Sequence, residues 1–554
     1  MNALHIIVSF YTLFITYRTV EAVYNVGVGR ADCTGPIADV TLMGYGDPFQ
    51  LGCGLHLRQF ARAFIFDDSV SRVLFVTVDA GMVNHPVKQA VIEKLDVIYP
   101  GGIYTLKNTL ISGTHTHSAP GGQFKDILLD ISAFGFVKES FNAIVAGIVR
   151  AVQRAHDNIV ESRIIINSKE LLETSINRSP ASYLLNPKEE RTRYKYNVDK
   201  DMVQLKFVRK SDNVVFGALN WFAVHGTSMN NTNCLVSSDN VGYASLLLEL
   251  DSNKGFTAGK GPFVGAFAST NLGDVSPNTK GAICILTGKP CDYIHSTCGG
   301  NTKYCIASGP GKDMTESTEI IATNLFHKGK ELLEDQNGIE LNGDIKYIHK
   351  FVYMPNQTTT VQLKDGLLVE LQRYEGASTL FGPNTLAIYI KIFREMTAAI
   401  LKGETVNDEG MPYKFPKTLF SLLPPVMLDS PGTGDFGECI VQPKPLYHIG
   451  DTVSTVFISG HPRNSNLQED TFLTVEKKDK NSWKTIATDA SWETKFIWKR
   501  ASLPGESRAT VRWEINNNVE PGTYRITQHG YYKPGMFTTI RPYFGSSDSF
   551  NVTT

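Results

Sequence analysis

The sequence predicts an α/β domain with helices and strands in layers (α+β), followed by a C-terminal β-sandwich of the immunoglobulin-like type. The chain has 554 residues, more than one compact domain usually holds. Apolar runs alternate with helical patterns as far as about residue 420, which is the order of a layered α/β domain. From about Ser421 onward, short alternating segments are separated by turn residues, which indicates antiparallel strands. The expected domains are therefore 23–420 and 421–554.

The elements of the first domain follow from two periodicities. Apolar runs bounded by turn residues predict strands, and apolar residues at helical spacing predict helices. The expected strands are Val23–Arg30, Val40–Met43, Ala61–Phe66, Val73–Val78, Thr109–Ser112, Phe216–Val224 and Phe263–Ala268. The expected helices are Val87–Ile98, Phe136–Ile159, Val241–Leu250, Glu316–Leu333 and Pro383–Leu401.

The segment Ser237–Asn240 precedes the helix that begins at Val241. Its serine, aspartate and asparagine side chains are the types that cap a helix N-terminus, so we expect them to act as caps. In the second domain, alternation between apolar and polar residues predicts antiparallel strands. These are Thr452–Ile458, Thr471–Glu476, Phe496–Lys499, Ala509–Ile515 and Gly522–Thr527.

The charge balance excludes one class of partner. Lys and Arg number 54, and Asp and Glu number 55, so the chain as a whole has no excess of positive charge. A basic surface is what nucleic acid or an acidic membrane would attract. We therefore expect no nucleic-acid partner.

The N-terminus is typical of a secreted protein. Ile6–Ile15 is a short apolar run, and Val20 and Ala22 supply the small residues that signal peptidase reads. We expect residues 1–22 to be a signal peptide and the mature chain to be secreted, extracellular or held at the cell surface. The alternative is an uncleaved signal anchor, for which the run is short.

The cysteines agree with an oxidising compartment. Cys284, Cys291, Cys298 and Cys305 recur every seven residues, a spacing that fits neither a zinc finger nor a helix stripe. They predict two disulfides that close a loop, and spacing alone leaves three pairings open. The cysteines at positions 33, 53, 234 and 439 remain unassigned. Acceptor sequences for N-glycosylation are also compatible with secretion, and they begin at Asn230, Asn356 and Asn551.

The first candidate site is GTHTHSAPGG, at residues 113–122. It carries His115 and His117 directly after the expected strand Thr109–Ser112. Residues at i and i+2 of an extended segment point to opposite faces, so we expect only one of these histidines to bind a given metal ion. Neutral imidazole is the commonest metal ligand and a usual proton carrier near neutral pH. The structural alternative is a polar loop with hydrogen-bonded histidines.

Three further polar residues follow other segments in the same way. They are His225 after an apolar run, Ser276 within GDVSPN, and Arg178 within NRSP. Polar residues just past strand ends line the sites of α/β domains. The alternatives are a core histidine, a simple turn and a surface ion pair. Taken together, an arginine, a serine and three histidines beside strand ends favour a hydrolytic site.

Six motifs occur in one order along the chain: GTHTHSAPGG, SINRSPASYLLNP, NWFAVHGTSMNNTN, SSDNVGYAS, NLGDVSPN and QRYEGASTLFGPNTL. Together they closely resemble the neutral ceramidases, zinc-dependent amidases that are secreted or membrane-associated. The resemblance runs from about Val26 to the C-terminus. It implies hydrolysis of the N-acyl amide bond of ceramide and related N-acylsphingosines, with Zn²⁺ as cofactor and a membrane or lipid surface as the source of substrate.

The resemblance also implies a role for each matching residue. It assigns His115 and His225 to the zinc ion, His117 to the lining of the site, and Ser276 to nucleophilic attack. It assigns Arg178 and Tyr374 to the substrate amide, and it pairs Cys284 with Cys298 and Cys291 with Cys305. Ser276 has no base next to it in the sequence, so attack by Ser276 and attack by water both remain open.

The resemblance is interrupted near residues 362–371. Here the family carries a zinc-binding Glu in a PGEFTTM-like motif and, further on, a zinc-binding Tyr, and this chain has neither motif. We expect a family segment to be missing. Two histidines are fewer than the three protein ligands usual for a catalytic zinc. Glu370 and Glu375 are nearby carboxylates, but nothing in the pattern makes them substitutes.

Three functional hypotheses follow. The first is a zinc-dependent ceramidase that releases sphingosine and a fatty acid. The second is a catalytically inactive ceramidase-like chain that binds a lipid or a partner. The third is a metal-free serine hydrolase that uses Ser276. Zinc binding separates the first from the second, and a chelator separates the first from the third.

Overall fold

The computed structural model describes residues 23–125, 127–350, 358–362, 368–372, 421–423, 426, 428–465, 469–535 and 537–554. No helix within these ranges is both long and apolar enough to cross a membrane. The expected signal peptide, the expected helix Pro383–Leu401 and Tyr374 lie outside the described residues.

The helices and strands of the described residues alternate in the first part of the chain, and strands alone form the last part. The helices are α1 His85–Ile98, α2 Ile127–Asp130, α3 Lys138–Asp157, α4 Pro180–Leu184, α5 Lys188–Arg191, α6 Asp239–Ser252 and α7 Met314–Glu334. The strands up to residue 372 are β1 Tyr24–Asp32, β2 Ala38–Met43, β3 Leu51–Leu55, β4 Phe60–Asp67, β5 Arg72–Val78, β6 Thr109–Gly113, β7 Ala119–Pro120, β8 Val160–Glu170, β9 Ile176–Asn177, β10 Asp201–Arg209, β11 Val215–Phe222, β12 Leu235–Val236, β13 Val264–Ser269, β14 Val275–Ser276, β15 Gly281–Cys284, β16 Cys305–Ser308, β17 Ile339–Glu340, β18 Thr358–Gln362 and β19 Leu368–Gln372. The strands after residue 420 are β20 Cys439–Val441, β21 Leu446–His448, β22 Thr452–Ser459, β23 Leu473–Asp479, β24 Ser482–Thr488, β25 Thr494–Arg500, β26 Ser507–Glu514, β27 Gly522–Tyr532, β28 Arg541–Ser546 and β29 Phe550–Thr553.

A nine-stranded sheet carries the candidate site. Its order is β13-β11-β10-β8-β1-β4-β5-β6, with β17 paired to β8. The pairs β11–β13 and β5–β6 are parallel, and the other pairs along this order are antiparallel. The ends of the two edge strands lie close together, which shows that the sheet curls: the Ser269 hydroxyl at the end of β13 donates a hydrogen bond of 3.0 Å to the Thr114 carbonyl just after β6.

Two glycines in β1 allow helix α3 to pack closely against this sheet. A Cβ atom on Gly27 would lie 2.1 Å from the Ala155 carbonyl oxygen, and one on Gly29 would lie 2.2 Å from the Ala151 carbonyl oxygen. Any side chain at these positions would push α3 away. The buried face of α3 packs with the apolar residues of β4, β5 and α1 in one core, while α6 and α7 share a second core with β11 and β13.

The C-terminal part consists of two sheets around one core. One sheet has the order β20-β22-β26-β25-β3-β2-β7, with β12 paired to β3, and the other has the order β21-β29-β27-β23-β24, with β28 paired to β27. Their common core contains Trp513, Phe496 and Phe457 together with Ile37 and Leu55 from the N-terminal part. A C-terminal β-rich region is therefore present, and its first sheet includes strands from residues 38–55. Its immunoglobulin-like type stays a prediction.

The predicted elements within the described residues are present, with ends that differ by a few residues. The patterns missed three strands of the nine-stranded sheet: β8, β10 and the two-residue β17. The apolar residues of β8 are confined to Val160 and the three-residue run Ile164–Ile166 between polar residues, and buried and more exposed positions do not alternate regularly along it, so neither strand pattern stood out. The capping prediction holds in part. Ser238 makes no side-chain capping hydrogen bond, but the Ser237 hydroxyl accepts from the Asp239 amide at 3.1 Å and the Asp239 carboxylate accepts from the Asn240 amide at 2.7 Å at the start of α6.

The contact between β3 and β25 gives a stability prediction. Gly54 of β3 has φ +152°, and a Cβ atom there would lie 2.0 Å from the Phe496 carbonyl oxygen of β25. We expect Gly54→Ala to destabilise the protein by about 3 kcal/mol, since the added methyl group has no space. Thermal unfolding measures the effect. Gly273→Ala is the control, because nothing lies within 4 Å of its added methyl group, and equal melting temperatures for the two variants would contradict the β3–β25 pairing.

Candidate functional site

The backbone at His115 departs from an extended strand. His115 has φ +67°, which lies in the left-handed region that residues other than glycine seldom adopt. The expectation that His115 and His117 point to opposite faces is therefore wrong, because it assumed a regular strand. Hydrogen bonds hold the turn on both sides: the His115 amide donates to the Ala80 carbonyl at 3.0 Å, and the His117 amide donates to the Gly226 carbonyl at 3.0 Å.

The turn brings three imidazole rings together. The Nε2 atom of His115 lies 3.1 Å from Nε2 of His225 and 3.2 Å from Nε2 of His117. One nitrogen of each ring lies within 4.8 Å of the other two. His117 and His225 are buried, and His115 is half-buried. The two sequence-predicted metal ligands therefore meet, and His117 joins them.

Backbone carbonyls orient two of the rings. Nδ1 of His115 lies 2.5 Å from the Gly81 carbonyl oxygen, and Nδ1 of His225 lies 2.8 Å from the Leu272 carbonyl oxygen. A carbonyl accepts a hydrogen bond, so each Nδ1 carries the proton and each Nε2 keeps its lone pair. Nδ1 of His117 has no hydrogen-bond partner among the described residues.

The surroundings keep two of the imidazoles neutral. Burial, and to a smaller extent the neighbouring charges of His115, His225 and Arg178, lower the pKa of His117 to about 3. Burial also lowers the pKa of His225 to about 4, with smaller contributions from His115 and Arg178. Neutral imidazole is the form that binds metal ions or accepts a proton.

A short antiparallel ladder places Ser276 and Arg178 next to this cluster. Ser276 of β14 pairs with Ile176 of β9, and the Arg178 amide donates to the Asp274 carbonyl at 2.8 Å. The His225 amide donates to the Val275 carbonyl at 3.0 Å, so the serine follows a residue that is bonded to the cluster. Ser276 is buried and Arg178 is exposed. Tyr374 lies outside the described residues.

The Ser276 hydroxyl has a defined hydrogen-bond partner. Its oxygen accepts a hydrogen bond from the Asn278 amide at 3.1 Å. The hydroxyl proton is not used in this bond, so Ser276 can still donate it.

Two residues at the start of α6 support the loop that follows His225. The Asn240 side chain donates to the His225 carbonyl at 3.1 Å and to the Ser228 hydroxyl at 2.8 Å. The Asp239 carboxylate accepts from the Ser228 and Met229 amides at 3.2 and 3.1 Å, and burial raises its pKa to about 7. The sequence analysis assigned these residues to capping alone. Capping a helix and bonding a neighbouring loop need the same side-chain types at a helix start.

Tyr45 is a further residue that the sequence analysis missed. Its ring meets His117 edge-on, with 4.6 Å between ring centroids, and its hydroxyl donates to the Met229 carbonyl at 2.7 Å. The motif GYGDP at residues 44–48 marked only a turn. Its contact with His117 depends on the tertiary fold.

The disulfides agree with the pairing that the family resemblance implied. Cys284 is bonded to Cys298, and Cys291 to Cys305. A third disulfide joins Cys53 to Cys234, two cysteines that the sequence left unassigned. They are 181 residues apart in the chain, so no local pattern could pair them.

The comparisons with known proteins agree with this geometry. The family model for the N-terminal part of neutral/alkaline non-lysosomal ceramidases matches residues 24–367, and the model for the C-terminal part matches residues 393–552. The chain belongs to the neutral/alkaline non-lysosomal ceramidase family. The N-terminal model matches first along the chain and the C-terminal model follows it.

Curated relatives match over nearly the full chain. Neutral ceramidase of Drosophila melanogaster is 37% identical over 684 aligned positions, which cover 96% of this chain and 97% of the relative. Neutral ceramidase B of Dictyostelium discoideum is 35% identical, with 96% and 94% covered. Each alignment is longer than the 554 residues of this chain, so the relatives carry positions that this chain lacks.

A solved structure has the same fold. The crystal structure of neutral ceramidase from Pseudomonas aeruginosa matches with a TM-score of 0.79 and 29% identity, covering 96% of this chain and all of that chain. A structure described as ceramidase complexed with C2 matches with a TM-score of 0.77 and 28% identity. The mixed α/β fold with its C-terminal β-rich region is therefore shared with this enzyme family.

The support of His225 by Asn240 can be tested through metal affinity. We expect Asn240→Ala to weaken the binding of an added divalent metal ion at the three histidines about tenfold, since groups that orient metal ligands affect affinity by 10- to 100-fold. Competition with a coloured chelator measures the dissociation constant. Asn253→Ala is the control, because Asn253 is also buried but holds Phe263 at the other end of α6. An equal change in both variants would show that the effect comes from α6 as a whole.

Proposed function

We propose that this chain hydrolyses the N-acyl amide bond of ceramide and related N-acylsphingosines, releasing sphingosine and a fatty acid. One observation carries the proposal. Three buried or half-buried imidazoles meet beside Ser276 and Arg178 in a chain of the ceramidase family. The structural relative described as complexed with C2 is a ceramidase, which supports the same substrate class.

We propose Zn²⁺ as the cofactor, held by His115 and His225. The donor set fits this ion, because both Nδ1 atoms are bonded to carbonyls, which leaves each Nε2 with a lone pair for a metal ion. Bound zinc would act as a Lewis acid that polarises the amide carbonyl. His117 could fill either of two roles, since its Nε2 atom lies 3.2 Å from Nε2 of His115. It is the third ligand, or it is the neutral base of the site.

The other residues supply positioning and charge. Ser276 can act as the nucleophile or orient water, because its oxygen is held by the Asn278 amide while its proton remains free to leave. Arg178 directly follows the strand that pairs with Ser276, and its charge acts on His117 and His225. A positive charge there would stabilise the oxyanion that develops from the amide carbonyl. The leaving amine needs a proton, and His117 is the imidazole that could carry it in its second role.

Secretion is part of the proposal. It is supported by three disulfides among the described residues and by the N-terminal pattern and acceptor sequences for glycosylation. Disulfides persist in oxidising compartments. Such a location would give the enzyme access to lipids of the outer membrane surface.

A catalytically inactive chain is the second candidate, and a specific observation favours it. The relatives are aligned over more positions than this chain has residues. The Glu and Tyr that the family resemblance adds to the zinc site have no counterpart motif here. A chain with an incomplete zinc site would bind lipid or a partner without turnover.

The role of Ser276 gives a test of the chemistry. We expect Ser276→Ala to lower the hydrolysis of a labelled ceramide at least a hundredfold, because the hydroxyl that attacks or orients water is lost. Release of the labelled fatty acid measures the rate. Ser162→Ala is the control, since Ser162 is a buried serine of β8 whose hydroxyl donates to the Val160 carbonyl. A normal rate in Ser276→Ala would remove the serine from the mechanism.

A chelator decides between the hypotheses. We expect a zinc chelator to abolish hydrolysis and added Zn²⁺ to restore it, because the carbonyl would lose its Lewis acid. Activity that resists the chelator would support the metal-free serine hydrolase. A folded chain that is inactive with and without zinc would support the inactive alternative.

Zinc content decides the role of His117. We expect His115→Ala and His225→Ala to lose bound zinc, as measured by atomic emission on the purified chain. If His117 is the third ligand, His117→Ala also loses zinc. If it is the base, His117→Ala keeps the zinc and loses turnover. Full zinc in His115→Ala would contradict the assigned site.

A further inference from the structure

The loop Cys284–Cys305, here called the stapled loop, is fixed in shape although it encloses almost no core. Strands β15 and β16 pair at its base, where Cys284 lies opposite Cys305. Two disulfides, Cys284–Cys298 and Cys291–Cys305, close it. Apart from Cys284 and Cys298, its residues are half-buried or exposed. The cross-links therefore hold a surface structure rather than supplement a core.

The turns of this loop carry apolar residues where turns are usually polar. In the first turn, closed by the Gly288 amide and the Cys284 carbonyl at 2.8 Å, Ile285 and Leu286 are 59% and 65% exposed. In the second turn, bonded from the Asp292 amide to the Thr297 carbonyl at 3.0 Å, Tyr293 and Ile294 are each 58% exposed. Gly, Asn, Asp, Ser and Pro are the usual turn residues.

This exposure has a consequence for partners. Single exposed apolar side chains are common, but a group of them on one small structure marks an interaction surface. Transfer of a fully exposed Ile or Leu side chain into an apolar phase is favourable by roughly 1.5–3 kcal/mol. Because the disulfides already fix the loop, little conformational entropy would be lost when it inserts.

The charge around the loop differs from that of the whole chain. The stapled loop carries two lysines, Lys289 and Lys303, and one acidic residue, Asp292, whereas the chain has a formal net charge of −1. Asp292 is hydrogen-bonded to His295 at 3.0 Å. Lysines near an anionic lipid surface contribute about 1 kcal/mol each. The near-neutral total that argued against an acidic membrane therefore does not describe this loop, on which the lysines outnumber the one aspartate.

The loop is continuous with the candidate site. The Asn278 amide bonds to the Ser276 hydroxyl, and the Gly281 amide at the start of β15 donates to the Asn278 carbonyl at 2.8 Å. A surface that holds the stapled loop would therefore lie next to the segment that carries Ser276. An insoluble substrate would reach the site from that surface.

We propose that the stapled loop docks the protein on anionic lipid bilayers, with Ile285, Leu286, Tyr293 and Ile294 inserted among the lipids and Lys289 and Lys303 facing the headgroups. The choice of a lipid surface rests on the proposed function, since ceramide is a membrane lipid. The apolar turns are complementary to the acyl-chain region of such a bilayer, and the lysines are complementary to its anionic headgroups. Docking presents the site to substrate in the bilayer.

Vesicle binding by the full chain tests the apolar part. We expect the double variant Leu286→Ser, Ile294→Ser to lose at least tenfold in co-sedimentation with vesicles of phosphatidylcholine and phosphatidylserine. Val70→Ser, Leu503→Ser is the control, because these side chains are 92% and 62% exposed elsewhere on the protein. Peptide mapping verifies that both loop disulfides remain. Equal binding by the loop variant and the parent would overturn the proposal.

A second variant tests the contribution of the two lysines. We expect Lys289→Gln, Lys303→Gln to weaken binding to vesicles that contain phosphatidylserine severalfold and to leave the weak binding to phosphatidylcholine vesicles unchanged. Added salt should reduce the difference between parent and variant. Equal loss on both vesicle types would contradict an electrostatic role.

Turnover separates this proposal from the proposed function. We expect the apolar loop variant to hydrolyse ceramide in vesicles at least tenfold more slowly than the parent, but a water-soluble short-chain ceramide at the parent rate. If no form of the chain hydrolyses either substrate, the proposed function fails while vesicle binding still decides the docking. If the parent fails to bind vesicles and forms a dimer that the loop variant abolishes, the loop is an interface between two copies and the proposal is wrong.

Discussion

The left-handed backbone at His115 is the constraint on which the candidate site depends. Such a conformation costs about 1–3 kcal/mol outside glycine, and it persists where surrounding bonds determine it. Here the amides of His115 and His117 are bonded to Ala80 and Gly226, and the Thr116 hydroxyl donates to the Ser237 carbonyl at 2.9 Å. With an extended residue at this position, His115 and His117 would face apart and the cluster would lose one ring.

The C-terminal part contributes to the same site through a chain of strand pairings. Strand β25 pairs with β3, and β3 pairs with β12. Ser237 follows β12 directly, and its carbonyl holds Thr116 between the two histidines. The Cys53–Cys234 disulfide connects the same two segments covalently. The β-rich region is thus part of the support of the site and not an appended module.

Much of the fold could be predicted because local periodicity marks strands and helices whose apolar side is continuous. The helix Phe136–Ile159 was expected from its spacing, and α3 spans Lys138–Asp157. Strand β8 was missed because its side chains are largely half-exposed and polar. The capping prediction was incomplete, because an aspartate or asparagine at a helix start can also bond to another loop, as Asp239 and Asn240 do.

The sequence by itself determined the chemical types at the site: the family motifs, the histidines, Ser276 and Arg178, and the two loop disulfides that the resemblance paired. Tertiary structure alone decided that three histidines share one centre. That outcome depends on a positive φ at His115 and on a curled sheet whose edges meet at Ser269 and Thr114. Neither leaves a local pattern, because each results from hydrogen bonds between residues far apart in the chain. The same is true of the Cys53–Cys234 disulfide and of the strands that β3 joins, since long-range pairing depends on the whole fold.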